Sequence, residues 1–186
     1  MIKAIAFDFT EVLFTRADEK IASPLQWQIV EGFGFHNPDA EFLAYFARQL
    51  GMSEREVEKE TRKIIASIYP LKEPDLFEKI PPLKFAAATN HLSYMIDYFF
   101  GLPISENFIA AVSSGEVGFT KPQAEFYRIV AERLEEPPAK ILFVDDTYRN
   151  IRGAAEFGMQ VLHHQPDRLL SEEINSRLQE LGWTPR

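Results

Sequence analysis

Four places in the chain set chemically useful side chains directly after short apolar runs. Asp8 follows "AIAF", and Thr89-Asn90 follows "LKFAAA". Lys121 lies in "SSGEVGFTKP", just beyond "FIAAV". Asp145-Asp146 follows "ILFV". If these runs are strands of one parallel sheet, their ends gather on one edge, where ligands of open α/β sheets bind. The edge then holds three carboxylates, one ammonium, one hydroxyl and one amide. Three carboxylates in one crevice repel unless positive charge joins them. Lys121 supplies one charge. A hard divalent cation is the natural remainder, and Mg²⁺ fits because it accepts few protein oxygens together with phosphate and water. Mg²⁺ and an ammonium together clamp a transferring phosphoryl group. Asp8 is then the candidate nucleophile, since a carboxylate can form a covalent aspartyl-phosphate.

The elements needed to position these groups are visible as alternation. Apolar runs at 2–7, 83–88, 108–112, 141–144 and 160–163 suit a parallel sheet covered on both faces. Helical patterns separate the later runs. Residues 122–134 place Phe126, Ile129, Val130 and Leu134 on one face, with Pro122 suited to a first turn. A second helix is predicted over 147–157, closed by Gly158, and a third over 167–181. Strand–helix alternation predicts a doubly wound α/β core. The first connection differs. From about Thr15 to Ile80 the pattern is helical throughout. Asn37-Pro38-Asp39 opens one helix, closed by Gly51, and Ser53 with Glu56 forms a capping box for the next. Such an insertion, leaving from the edge that carries Asp8, would roof the site.

Composition narrows the possibilities. With 186 residues, 46% of them apolar and 16 of them Phe, one core domain and a modest insertion are expected. The net charge of −8 argues against nucleic acid or an anionic membrane as main partner. The absence of cysteine excludes disulfides, thiolate metal sites and a Cys nucleophile. No run approaches the ~20 apolar residues of a membrane span, so a cytoplasmic protein acting on a small molecule is the expectation.

The stretches "AFDFTEVLF", "AAATN", "GEVGFTKPQAEFY" and "LFVDDTYRNIRGAAEFGM" occur in this order from Ile2 to about His163. Together they resemble the haloacid dehalogenase-like (HAD) hydrolase superfamily, in its subgroup with a small helical cap. The resemblance implies a Rossmann-like parallel sheet flanked by helices, formed by residues 1–14 and 81–186, and a cap formed by 15–80. It implies Mg²⁺-dependent hydrolysis of a small phosphate ester through an aspartyl-phosphate at Asp8. By the same resemblance Thr89 binds the phosphoryl group, with Asn90 beside it, and Lys121 neutralises it. Mg²⁺ falls to Asp8, the backbone carbonyl of Thr10, and the pair Asp145 and Asp146, with Asp146 as direct ligand and Asp145 direct or one layer behind.

Thr10 departs from the pattern. Phosphatases of the family carry there a second Asp that protonates the leaving group and then deprotonates the attacking water. A threonine hydroxyl does not ionise near neutral pH, and positioned acid–base groups contribute about 10²–10⁴-fold. Three alternatives follow: a retired enzyme that binds a phosphorylated ligand or a partner, an enzyme with a persistent aspartyl-phosphate, and a 2-haloacid dehalogenase. The intact Asp145-Asp146 pair disfavours the last, because a neutral carbon–halogen centre gives no reason to gather three acids. His91 and Glu11 are candidate substitutes for the missing acid. Asn90 is alternatively a helix cap, and Asn150 a brace for the loop. His163 and His164, adjacent on a strand, point to opposite faces and make a poor metal pair. Trp27, Phe33, Phe35, Phe42, Tyr45 and Phe46 read mainly as the core of the helical layer.

Overall fold

A computed structural model describes residues 1–34 and 38–183. Phe35 and Asn37, named above, lie outside the described residues. Five parallel strands form one sheet: β1 (Ala4–Phe7), β2 (Lys84–Thr89), β3 (Ala110–Ser113), β4 (Ile141–Asp145) and β5 (Gln160–His163), in the order β3-β2-β1-β4-β5. The chain runs outward from β1 through β2 to β3, then returns to the other side of β1 for β4 and β5. Strand order reverses at β1/β4, the crevice where such sheets bind ligands.

The central strands β1, β2 and β4 are apolar on both faces because both faces are covered. Ile5, Phe7, Phe85, Ala87, Leu142 and Val144 point into one core cluster. Their neighbours Ala4, Ala6, Ala86, Ala88, Ile141 and Phe143 point into the other. This alternation follows from the two-residue period of a strand. On the second face α7 (Ala124–Leu134) packs on β2 and β3, and α8 (Tyr148–Glu156) on β4 and β5. On the first face lie α5 (Ser93–Phe100) and α9 (Leu170–Glu180). The helix anticipated from Pro122 begins two residues later, at Ala124. Gly153 of α8 passes so close to the loop at Pro122 that a Cβ there would lie 2.5 Å from Pro122 Cβ, so only glycine lets the helix approach.

Between β1 and β2 the described residues hold α1 (Pro24–Glu31), α2 (Asp39–Leu50), α3 (Glu54–Ile68) and the short α4 (Leu76–Lys79), and no strand. Ser53 and Glu56 form the reciprocal capping box, and Gly51 closes α2 in the left-handed conformation. The two legs of this excursion are tied together. Ala17 N–H donates to Ile68 O at 2.8 Å, Thr15 N–H to Pro70 O at 3.0 Å, and Lys72 N–H to Leu13 O at 3.0 Å. Phe42 and Phe46 are buried, whereas Trp27 and Tyr45 are 39% and 43% exposed, so the layer's core is narrower than its aromatic content suggests.

Two carboxylates from this excursion cap helices of the sheet layer. α5 and α9 lack side-chain caps of their own. Asp39, at the start of α2, accepts from Ser93 N–H (3.1 Å) and from the Ser93 hydroxyl at the start of α5. Glu73 accepts from Ser171 N–H (3.1 Å) and the Ser171 hydroxyl (2.6 Å) at the start of α9. Carboxylates are favoured at helix N-termini by the free N–H groups and the helix dipole.

Candidate active site

Four segments converge at the carboxyl edge of the sheet. Asp8 leaves the end of β1, and Asp145 ends β4 beside it. Lys121 enters from the loop after α6 (Ser114–Val117). Its ammonium lies 2.8 Å from Asp8 Oδ1 and 2.7 Å from Asp145 Oδ2, and donates to Ala88 O at 2.9 Å. The three side chains are almost wholly buried. Burial pushes the Asp8 carboxyl up to about 7, against the pull of the Lys121 ammonium and with a further push from Asp145. Burial alone would lower Lys121, but the carboxylates of Asp145 and Asp8 outweigh it and raise it, so the ammonium stays charged.

Asp145 spends its oxygens inward. Besides Lys121, they accept from Thr147 N–H (2.9 Å) and from the Asn150 amide (3.0 and 3.2 Å). Asn150 is therefore a brace, itself held through its carbonyl by the Tyr127 hydroxyl at 2.7 Å. Asp146 faces outward and lines the cavity, and burial followed by repulsion from Asp145 raises its carboxyl. Carboxylate oxygens of Asp8, Asp145 and Asp146 lie within 4.8 Å of one another. Three hard oxygen donors this close, with a single ammonium among them, form a donor set suited to Mg²⁺.

A cavity of about 350 Å³ opens over these groups, lined by Asp8, Thr10, Thr89, Asn90, Lys121 and Asp146, together with Thr147, Arg149 and Asn150. Every residue singled out from the strand ends thus borders one space, except Asp145, which lies directly behind it. Asn90 does not cap a helix. Its Oδ1 accepts from Lys121 N–H (2.8 Å) and its Nδ2 donates to Lys121 O (3.0 Å), which anchors the lysine's backbone. Glu11 is occupied elsewhere: its carboxylate accepts from Arg16 N–H at 3.1 Å and faces Lys72 at 3.8 Å. His91 is buried, and burial drives its pKa down to about 3, so it is neutral. His163, the last residue of β5, is exposed, and His164, just beyond it, is buried.

Sequence reasoning missed Arg149 and Tyr69. Arg149 is an exposed cation on the cavity wall, in the first turn of α8. Its signal was its place one helical turn beyond the acid pair. Tyr69 caps the end of α3, and its buried hydroxyl lies 3.3 Å from His91 Nε2. Nothing local in "SIYPL" announces that contact.

Comparison with known proteins agrees with this architecture. Residues 83–158 match the family model of haloacid dehalogenase-like hydrolases. A HAD family enzyme from Bacteroides thetaiotaomicron, crystallised with magnesium and inorganic phosphate, superposes with a TM-score of 0.71 at 17% identity, over 92% of this chain and 98% of that one. L-2-haloacid dehalogenase from Xanthobacter autotrophicus superposes with a TM-score of 0.64 at 24% identity, over 87% and 76% of the two chains. Drimenol cyclase drtB from Aspergillus calidoustus is 36% identical over 63 residues, 33% of this chain. That match spans only 12% of the relative's length. The five-stranded parallel sheet is thus the fold of these structures, and the central segment of the chain matches the model of haloacid dehalogenase-like hydrolases.

Proposed function

We propose that this protein is a Mg²⁺-dependent phosphatase acting on a small phosphorylated molecule, with Asp8 as nucleophile. The observation that carries the reading is the buried Asp8–Lys121–Asp145 cluster with Asp146 at its mouth. A site for displacing halide from carbon needs one carboxylate nucleophile. It gives no reason to crowd two further acids against it at the cost of mutual repulsion. A related fold that binds magnesium and phosphate together supports the same choice.

In this reading Asp8, the Thr10 carbonyl and Asp146 would hold Mg²⁺, with Asp145 behind them, and the bound ion would supply charge neutralisation for the phosphoryl oxygens. An Asp8 oxygen attacks phosphorus in line with the leaving oxygen. Lys121 and the Thr89 hydroxyl hold the equatorial oxygens as charge develops on them. Arg149 offers a further cation on the cavity wall for an anionic substrate. Residues 15–80 serve as a cap over residues 1–14 and 81–186, screening the site from bulk water and meeting the substrate's remainder.

The deciding experiment is a screen of phosphate esters with Mg²⁺ on wild type and Asp8→Asn. Turnover that the substitution abolishes supports the reading, and turnover that survives it rejects Asp8 as nucleophile. Mg²⁺-dependent binding of phosphorylated ligands with no turnover at all would favour the retired-enzyme alternative, for which Thr10 is the observation.

A further inference from the structure

The turn that follows β1 depends on one unusual backbone angle. Glu11 has φ 60°, in the left-handed region that side chains other than Asn and Asp seldom adopt. That angle joins two peptide planes. The plane before it carries the Thr10 carbonyl and the Glu11 N–H, which point in opposite directions because the peptide is trans. Glu11 N–H donates to Phe14 O at 2.7 Å, so the Thr10 carbonyl is turned away from Phe14. The plane after it carries the Glu11 carbonyl, which accepts from the Lys72 ammonium at 3.0 Å. One hydrogen bond on each side thus holds the angle.

Lys72 comes from far along the chain, on the leg that runs from α3 towards β2. Its side chain is 15% exposed. The same ammonium donates to Pro166 O at 2.8 Å, in the loop beyond β5. Its approach to the Glu11 carboxylate is longer, 3.8 Å, so its short contacts are to carbonyls. The loop beyond β5 is itself tied to the acid pair. His164 N–H donates to Asp145 O at 3.0 Å, and His163 Nε2 lies 2.8 Å from Asp146 O. Lys72 therefore joins the segment that carries Thr10 to the segment that braces Asp145 and Asp146.

We propose that Lys72 is a positioning residue for the cation: it holds Glu11 in the left-handed conformation and so aims the Thr10 carbonyl into the cavity that Thr10 shares with Asp8 and Asp146. The proposal rests on the Mg²⁺ reading of this site. A carboxylate ligand finds its metal by rotating about its own side-chain bonds. A backbone carbonyl has no such freedom and is aimed only by the peptide planes on either side of it. Without Lys72 the second plane is released, Glu11 relaxes towards an ordinary angle, and the carbonyl swings off the cation.

The test is Mg²⁺ affinity, measured by calorimetry with no substrate present. Lys72→Met keeps the length of the side chain and removes its donors. It should weaken Mg²⁺ binding about tenfold, the lower end of what ligand-orienting groups contribute. Lys72→Arg still offers donors to both carbonyls and should stay near wild type. Glycine enters the left-handed region at no steric cost, so adding Glu11→Gly to Lys72→Met should restore most of the lost affinity. A merely structural role for Lys72 predicts no such rescue. Glu11→Val leaves Lys72 in place but resists the angle. It should weaken Mg²⁺ as much as Lys72→Met does, whereas Glu11→Gly alone should not, and this pair decides the matter if Lys72→Met does not fold. Unchanged affinity in Lys72→Met or Glu11→Val, or a double variant no better than Lys72→Met, overturns this proposal alone. A wild type that binds no Mg²⁺ overturns it together with the Mg²⁺-dependent phosphatase reading.

Discussion

The Lys121 ammonium lies 2.8 Å from Asp8 Oδ1, with each side chain almost sealed from solvent. The same ammonium bridges to Asp145 at 2.7 Å, so one cation holds two carboxylates together. Lys121→Ala leaves two buried acids facing each other. The expected cost is about 3 kcal/mol of stability without metal, because an unpaired buried charge loses far more than the pair gained. Mg²⁺ should recover part of that loss. Thermal unfolding of the variant with and without Mg²⁺ checks both statements.

Mg²⁺ itself should stabilise the wild type. At a hundredfold excess over its Kd, a ligand specific to the folded state adds about 2.7 kcal/mol. For a chain of this size that is a Tm rise on the order of 5–10 °C. Asp146→Ala should abolish most of the rise while changing the metal-free Tm little, since Asp146 lies at the cavity rim. An equal Mg²⁺ shift in that variant would remove Asp146 as a ligand.

Thr10→Asp places a titratable carboxyl where phosphatases of the family carry one. If Asp8 forms an aspartyl-phosphate as proposed, its breakdown should accelerate by about 10²-fold, the usual scale for a positioned acid–base group. Rapid-quench measurement of the phosphoenzyme reads this directly. An unchanged breakdown rate would show that Thr10 is not what limits the second step.

Thr61 is fully buried in α3, and its hydroxyl has no hydrogen-bond partner among the described residues. Thr61→Val keeps the shape and removes a polar group that lost its water on folding. It should stabilise by about 1 kcal/mol, seen as a higher urea midpoint with an unchanged slope.

Glu73 makes acid stability sensitive to a single carboxylate. Burial would raise it, but the hydrogen bonds from Ser171 and Lys79 outweigh burial and hold it below the usual glutamate value. A carboxyl depressed in the folded state contributes stability above its unfolded pKa, and that contribution is lost as pH falls through the folded value. Glu73→Gln should cost about 1–2 kcal/mol at neutral pH and progressively less below pH ~4.5. Chemical denaturation at several pH values checks the convergence of the two curves.

Much of this molecule was legible in one dimension. Apolar runs ending in Asp8, Thr89 and Asp145 could be read as parallel strands because both faces of such a sheet are buried, which leaves continuous hydrophobic runs with polar residues only at the ends. The capping box at Ser53 and the helix stop at Gly51 were equally readable, since their physics spans four residues. Parallel strands share a direction, so the gathering of Asp8, Lys121, Asp145 and Asp146 at one edge followed from topology alone. Only the tertiary structure decided how those groups divide their labour. Lys121 turned out to bridge Asp8 and Asp145, Asn90 to hold the lysine's backbone, and Glu11 to be tied to Arg16 and Lys72. The Tyr69–His91 contact and the capping of α9 by Glu73, 98 residues away, were likewise invisible. Such pairings depend on where a whole helical layer comes to rest on the sheet. That placement is settled by the summed packing of many apolar side chains, and no short stretch of sequence carries it.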